Sequence, residues 1–303
     1  MGSTPGPINN PQTMSLPSPW PDSLVRFVEQ QWGPLNAVEP MAGLSGARVW
    51  RLTAGDQWAI VKQCGANEAS FYERAAPRLR ATGIGVPELW WAGADPMGYW
   101  IVIEYLSAAP VRATWLAHPA WMTALARLHQ LPLEVFAGLQ AHYRPRWDEA
   151  LVDDVLALIA PPHRSQLRTH LAALEEELDQ LQRQERPISG DPNPANWGLR
   201  ADGTAVLYDW ERAGFGPPAF DLAITIPGLA NAAAARQVAQ VYLAAAGVWS
   251  QGASVACLTR EILVCKVWVV VEFMATVTRQ RLALPSAYDE LWRSIPDWVA
   301  TLV

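Results

Sequence analysis

Ser189-Gly190-Asp191-Pro192-Asn193-Pro194-Ala195-Asn196, followed shortly by Val206-Leu207-Tyr208-Asp209-Trp210-Glu211, is the stretch on which the reading of this chain turns. Gly, Pro and Asn make the first segment an irregular loop rather than a helix. The second reads as a short strand that ends on a carboxylate. Phosphoryl transfer needs such a set. One carboxylate accepts the proton of a hydroxyl nucleophile, while a carboxylate and an amide oxygen hold the Mg²⁺ that neutralises phosphate charge. Asp191 suits the first role, and Asn196 and Asp209 the second. A surface turn would account for Asp191 and Asn196 alone, but not for the strand that follows them.

Outward from this loop, the chain changes character near residue 105. Residues 1–21, rich in Pro, Ser and Asn, show no hydrophobic period and are expected to form a disordered tail. Asp22 is placed to cap a helix carrying Leu24, Val25, Phe27 and Val28. From Val38 to Tyr105 short strands dominate. Val49–Leu52 and Trp58–Lys62 flank the Ala54-Gly55-Asp56 turn, a hairpin signal. A helix is predicted from Asn67 to Arg80 and a strand from Tyr99 to Tyr105, with Trp90-Trp91 at the start of another. Beyond, helices are predicted over 119–130, 147–159, 164–185, 232–246 and 259–282, with a strand near 205–209. The expected fold is therefore α+β and two-lobed: residues 22–105 form a small β-rich N-lobe for nucleotide, and 106–303 a larger α-helical C-lobe holding the catalytic loop and substrate site.

Bulk composition narrows the functional classes. The 303 residues are 50% hydrophobic and 17% charged, with a formal net charge of -6. An acidic balance argues against nucleic acid as a partner, because phosphate backbones need clustered Lys and Arg. Three scattered cysteines form neither a disulfide framework nor a CxxC pair, and the histidines show no zinc spacing. A reducing cytoplasm is the expected compartment. The first residues hold no basic region followed by an apolar one, so no signal peptide is expected. Lys266 and Glu272 interrupt the most apolar run, Ile262–Val277, which reads as a buried helix rather than a membrane span.

These motifs resemble the aminoglycoside phosphotransferase and choline kinase family, a branch of the protein-kinase-like fold whose loop reads HGDxxxxN and whose metal strand reads IDWE or IDFE. The likeness runs from about residue 38 to 290. It implies an ATP- or GTP-dependent, Mg²⁺-dependent kinase of a small hydroxyl-bearing molecule, working as a monomer or homodimer. By the same resemblance Gly43-Leu44-Ser45-Gly46 is a flap over the phosphates, with Gly43, Ser45, Gly46 and Val49 at the nucleotide. Ile60 lies against the base, and Lys62 reaches the α/β-phosphates with Glu68 of the next helix as its ion-pair partner. The Glu104 carbonyl and Leu106 amide would read the base at the hinge. His129, ending an LAxLH helix, is structural. Asp221, in a PxxDLA segment, braces the catalytic loop. Ser189 departs from the pattern, since the family has a supporting histidine there. That departure gives some weight to a nucleotide-binding pseudokinase with a regulatory role. A protein kinase is disfavoured by the short stretch between Asp209 and Asp221, which leaves no room for a long activation loop.

The acceptor is less determined. On the 259–282 helix Glu261, Cys265, Trp268, Glu272 and Arg279 fall on one stripe. A glutamate within so apolar a helix is costly unless paired. Two readings stand: Glu272, with Trp268, binds a cationic group of the substrate, or Glu272 forms an internal salt bridge to Arg279 or Lys266.

Overall fold

The computed structural model describes residues 20–41, 48–108, 110–247, 252–280 and 287–303. Most of the expected tail and the Gly43–Gly46 flap lie outside these residues. The chain divides into two compact units. One comprises residues up to Cys64 together with Leu89–Tyr105, and the other Gly65–Glu88 with Leu106–Val303.

The first unit is a five-stranded antiparallel sheet behind one helix. Helix α1 (Asp22–Trp32) precedes β1 (Leu35–Pro40), β2 (Val49–Ala54) and β3 (Gln57–Cys64), while β4 (Leu89–Asp95) and β5 (Gly98–Glu104) complete the order β1-β2-β3-β5-β4. The predicted hairpin forms around Gly55-Asp56, with Ala54 opposite Gln57. Gly55 takes a φ of 54°, the left-handed conformation that tight two-residue turns require. Strand alternation sorts the side chains. Trp50, Leu52, Ala59, Val61, Trp100 and Val102 bury one face beneath Leu24 and Val28 of α1. Arg51, Ile60, Lys62, Ile101 and Ile103 fall on the other, by register. Asp22 does not cap α1. Pro21 occupies the cap position without a side-chain bond, and Asp22 opens the first turn, where its charge suits the helix dipole. Trp20, assigned to the tail, is instead buried edge-on against Trp50 at 5.9 Å.

The second unit is mainly helical. It begins with α2 (Ala66–Ser70), a π-helical turn (Phe71–Ala75) and α3 (Ala76–Ala81). The sequence reading placed this helix in the N-lobe, yet its packing belongs here. Phe71 stacks on Trp210 at 4.6 Å, and Arg74 and Arg78 donate to the carbonyls of Gly138 and Ala137 at 3.0 and 2.7 Å. There follow α4 (Pro119–Gln130), α5 (Glu149–Leu158), α6 (Pro161–Ala173) and α7 (Glu175–Gln182). The last two replace a single predicted helix and meet at Leu174. Two short ladders carry the loop region: β6 (Arg186–Ile188) pairs with β9 (Gly214–Gly216), and β7 (Trp197–Leu199) with β8 (Ala205–Leu207), while Gly85 makes an isolated bridge to Val206. Helices α8 (Pro218–Ile224), α9 (Ala232–Ala246), α10 (Val255–Gln280) and α11 (Ala287–Ala300) complete the unit, the first and last of them not anticipated from sequence. α10 packs against α5, α8 and α9. Among the described residues, no helix is long and apolar enough to cross a membrane.

Candidate active site

Strand β6 delivers the chain to Ser189-Gly190-Asp191, and a glycine is required at the bend. Gly190 has φ 78°, and a Cβ there would lie 2.3 Å from the Arg212 carbonyl oxygen. Asp191 follows, half-buried. The Asn196 amide closes the loop by donating to the Asp191 carbonyl at 3.0 Å and to its carboxylate at 3.4 Å. With its NH₂ so used, the amide oxygen of Asn196 is left as a ligand atom. Burial pushes the Asp191 carboxyl up to about 6. Arg212 opposes that rise, and Asp209 and Asp221 add to it.

Asp209 is brought beside this loop by the β7–β8 ladder. Trp197 pairs with Leu207, and the Tyr208 amide donates to the Asn196 carbonyl at 2.8 Å. The chain turns sharply at Asp209, whose φ is 57°. Trp210 locks the turn: it is fully buried, donates to the Leu207 carbonyl at 2.7 Å and stacks on Phe71. Carboxylate oxygens of Glu68, Asp209 and Glu211 lie within 4.8 Å of one another. Asn67 adds a tether by donating to the Glu211 carbonyl at 3.0 Å. An amide oxygen beside clustered carboxylates is an all-oxygen donor set of the kind that hard divalent cations prefer.

The support beneath the loop is a buried polar network centred on Asp221, in the first turn of α8. One carboxylate oxygen accepts the Ser189 amide at 2.8 Å and the Ser189 hydroxyl at 3.1 Å, and the other accepts the Gly190 amide at 2.9 Å. His129 Nε2 lies 3.3 Å from the same carboxylate, and its Nδ1 lies 3.0 Å from the Tyr242 hydroxyl. Burial raises the Tyr242 hydroxyl above its ordinary range. Ser189, smaller than the family's histidine, thus reaches Asp221 directly.

Trp268 and Glu272, the predicted acceptor pair, both meet protein partners. Trp268 is fully buried, edge-on to Phe220, and donates to the Arg146 carbonyl at 3.3 Å. Glu272 is paired, but neither with Arg279 nor with Lys266. Arg279 bonds Asp154 at 2.5 Å, and Lys266 donates to the Ala223 and Ile226 carbonyls at 3.1 and 2.6 Å. Glu272 accepts instead from Arg212 at 2.7 Å and from the Tyr143 hydroxyl at 2.7 Å, while the Arg212 guanidinium bonds that hydroxyl and lies 4.1 Å from the Tyr143 ring centroid.

Of the nucleotide-side predictions, Ile60 and Lys62 lie two residues apart on one sheet face, opposite Ile103 and Ile101. Val49 pairs with Lys62, and Glu104 with Ala59. The Leu106 amide donates to the Tyr208 hydroxyl at 3.0 Å. Glu68 is buried at the Asp209 cluster. Sequence reasoning gave no role to Glu211, Arg212, Tyr143 or Trp197. Only Glu211 left a signal, two residues beyond Asp209 in the strand motif.

The sequence profile of the Phosphotransferase enzyme family matches residues 37–255, most of the chain. The chain belongs to that family. No curated protein gives a match. Similar solved structures include choline kinase LicA from Streptococcus pneumoniae, 16% identical over 92% of this chain and 100% of that one, with a TM-score of 0.62. A GDP complex of a mutant aminoglycoside 2'-phosphotransferase IIIa is 15% identical over 92% of this chain and 95% of that one, again at 0.62. Macrolide 2'-phosphotransferase MphH from Brachybacterium faecium is 17% identical over 90% and 97%, at 0.53. At these identities the likeness establishes the fold: a two-lobed, protein-kinase-like architecture with a β-rich N-lobe and a helical C-lobe. Family membership makes the chain a phosphotransferase by class.

Proposed function

We propose that the chain moves the γ-phosphate of a Mg²⁺-bound nucleoside triphosphate, ATP or GTP, onto a hydroxyl of a small molecule. The observation that carries this reading is the arrangement of Asp191 within hydrogen-bonding reach of Asn196 and in the field of Asp209. Asp191 accepts the hydroxyl proton and aims the oxygen at the phosphorus. Its raised proton affinity suits that task, since a general base works best with a pKa near the operating pH. Asn196 and Asp209, with Glu211 as an added carboxylate, are the residues that would hold the divalent cation. When bound, the cation neutralises charge on the phosphates. Lys62 is assigned to the α/β-phosphates and Ile60 to the base.

Ser189 does not weaken this reading, because its amide and hydroxyl both reach Asp221. The acceptor is an antibiotic, an amino alcohol or a sugar-like compound. The kinases of similar fold carry names that span choline, aminoglycosides and macrolides, and one fold hosts many such sites.

Coupled ADP release, run against those three classes with ATP and GTP and with Mg²⁺ present or chelated, tests the proposal. Turnover should require Mg²⁺ and disappear in Asp191→Ala while nucleotide still binds. Full turnover in that variant would remove Asp191 from its role. Nucleotide binding without turnover across a wide acceptor panel would make the chain a binding module instead.

A further inference from the structure

We propose that Trp197 is a positioning residue of the catalytic loop: its indole N–H, bonded to the Pro192 carbonyl, sets the spacing between Asp191 and the pair Asn196 and Asp209. The inference rests on the roles proposed above for those three residues.

The loop between Asp191 and Asn196 includes two prolines, which donate no backbone hydrogen bonds. Pro192 is buried, so its carbonyl needs a donor from elsewhere. Trp197 Nε1 supplies one at 3.2 Å, tying the residue after the base to the residue after the amide ligand. Together with the Asn196 bonds to Asp191, this closes the loop from both sides.

Trp197 also opens β7. It pairs with Leu207, and the preceding carbonyl accepts the Tyr208 amide at 2.8 Å. Asn196 and Asp209 therefore hang from the two strands of one ladder whose first rung is Trp197. A displacement of this side chain alters the distance from the base to both ligands at once.

The indole is itself fixed. It is 3% exposed. Its ring stacks on Trp121 at 5.3 Å with an interplanar angle of 13°, and Trp121 stacks on His118 at 5.0 Å and 25°. At the far end Ala117 takes φ 53°, a conformation that residues with a Cβ rarely adopt. Three rings in series from the start of α4 thus hold one N–H against one carbonyl. An apolar side chain in the same place would leave the Pro192 carbonyl without this donor.

The test compares Trp197→Phe with Trp197→His in the full chain. Phenylalanine keeps an aromatic ring and removes the donor. Histidine gives up part of the stack but can place Nε2 where the indole nitrogen stood. The probe is Mn²⁺ titrated in the presence of ADP and followed by electron paramagnetic resonance, with basal ATP hydrolysis measured in parallel. Trp197→Phe should weaken Mn²⁺ binding and lower hydrolysis, each by about tenfold, as the metal-bound spacing of the loop loses the bond that holds it. Trp197→His should recover most of both.

Mn²⁺ affinity and hydrolysis within about twofold of wild type in Trp197→Phe would overturn the proposal, since the spacing of base and ligands would then not depend on the donor. So would losses in Trp197→Phe that histidine fails to restore, since bulk rather than the donor would then be at issue. If Trp197→Phe does not fold, Trp197→His decides alone, retained Mn²⁺ affinity supporting the role and its loss refuting it. Asp209→Asn separates the underlying reading from this one: unchanged Mn²⁺ affinity there would show that the metal assignment, not the role of Trp197, is at fault.

Discussion

Replacing Asp191 with asparagine should stop turnover and make the protein more stable at neutral pH. The folded protein holds this carboxyl at about 6, against 3.8 for the free group. The sign follows from linkage. Below the free value both states are protonated, and the group contributes nothing. As pH rises from about 4 to 6 the unfolded chain releases its proton while the folded chain retains it, so the native state loses stability. Above about 6 the penalty is fully present. At about 1.36 kcal/mol per unit, a displacement of roughly two units is worth about 3 kcal/mol. Asp191 is half-buried, and solvent screening reduces this to roughly 1–3 kcal/mol. Asparagine is nearly isosteric and carries no charge to bury, so Asp191→Asn should gain that amount at a pH of about 7.5. On a helical unit of this size the gain is a rise in Tm of about 2–8 °C. Thermal unfolding of wild type and variant at pH values of about 4.5, 6 and 7.5 measures it, and the gap should close toward the acid end. A gap of the same size across that range, or none at its alkaline end, would refute the reasoning. The trade is the one expected of a strained functional group, in which a carboxylate kept for chemistry destabilises the fold that presents it.

Three further outcomes follow from the same geometry. Gly190→Ala should lose activity and at least about 2 kcal/mol of stability by urea denaturation, because a left-handed φ and a clash with the Arg212 carbonyl coincide. Ser189→Ala removes one of the side-chain donors to Asp221 and should cost about 1–2 kcal/mol with a modest fall in kcat; an unchanged melting curve would show the hydroxyl to be dispensable. Glu272→Gln removes the carboxylate bonded to Arg212 and should lower stability by about 1 kcal/mol, the partial exposure of both groups limiting the loss. Its effect should be much smaller in an Arg212→Gln background, which a double-mutant cycle reads directly.

The grouping of the proposed catalytic residues was legible in the sequence where it is local. Asp191 and Asn196 are close in a loop that prolines and glycine keep irregular, and Asp209 lies at the end of a strand that the ladder must place beside them. Phosphoryl transfer fixes those residue types, so the pattern carries its own meaning. Side chains chosen by packing leave no such trace. Arg212, Tyr143 and Glu272 meet across long stretches of sequence, and nothing in any one segment points to the other two. The helical stripe that joined Glu272 to Arg279 was correct as geometry on one helix. It failed because Arg279 found Asp154 on α5 and Arg212 found Glu272.

The predicted helix over 164–185 shows the same limit from the side of the fold. Leu167, Leu171, Leu174, Leu178 and Leu181 keep a helical period throughout, and all five are buried. Periodicity reports which face is covered, and that face is continuous across α6 and α7. It does not report whether the backbone beneath it is, because Leu174 sits in the joint and is covered as fully as its neighbours. Segment 65–88 was misassigned for a related reason. Its helix follows a run of strands in the chain, but Phe71, Arg74 and Arg78 commit it to Trp210 and the 135–138 turn. Membership of a unit is decided by the partner of a face, and the partner is what one sequence leaves unwritten. Trp197 belongs to this class as well: its identity is dictated by a carbonyl that becomes buried only after the loop, the ladder and the ring stack have formed together.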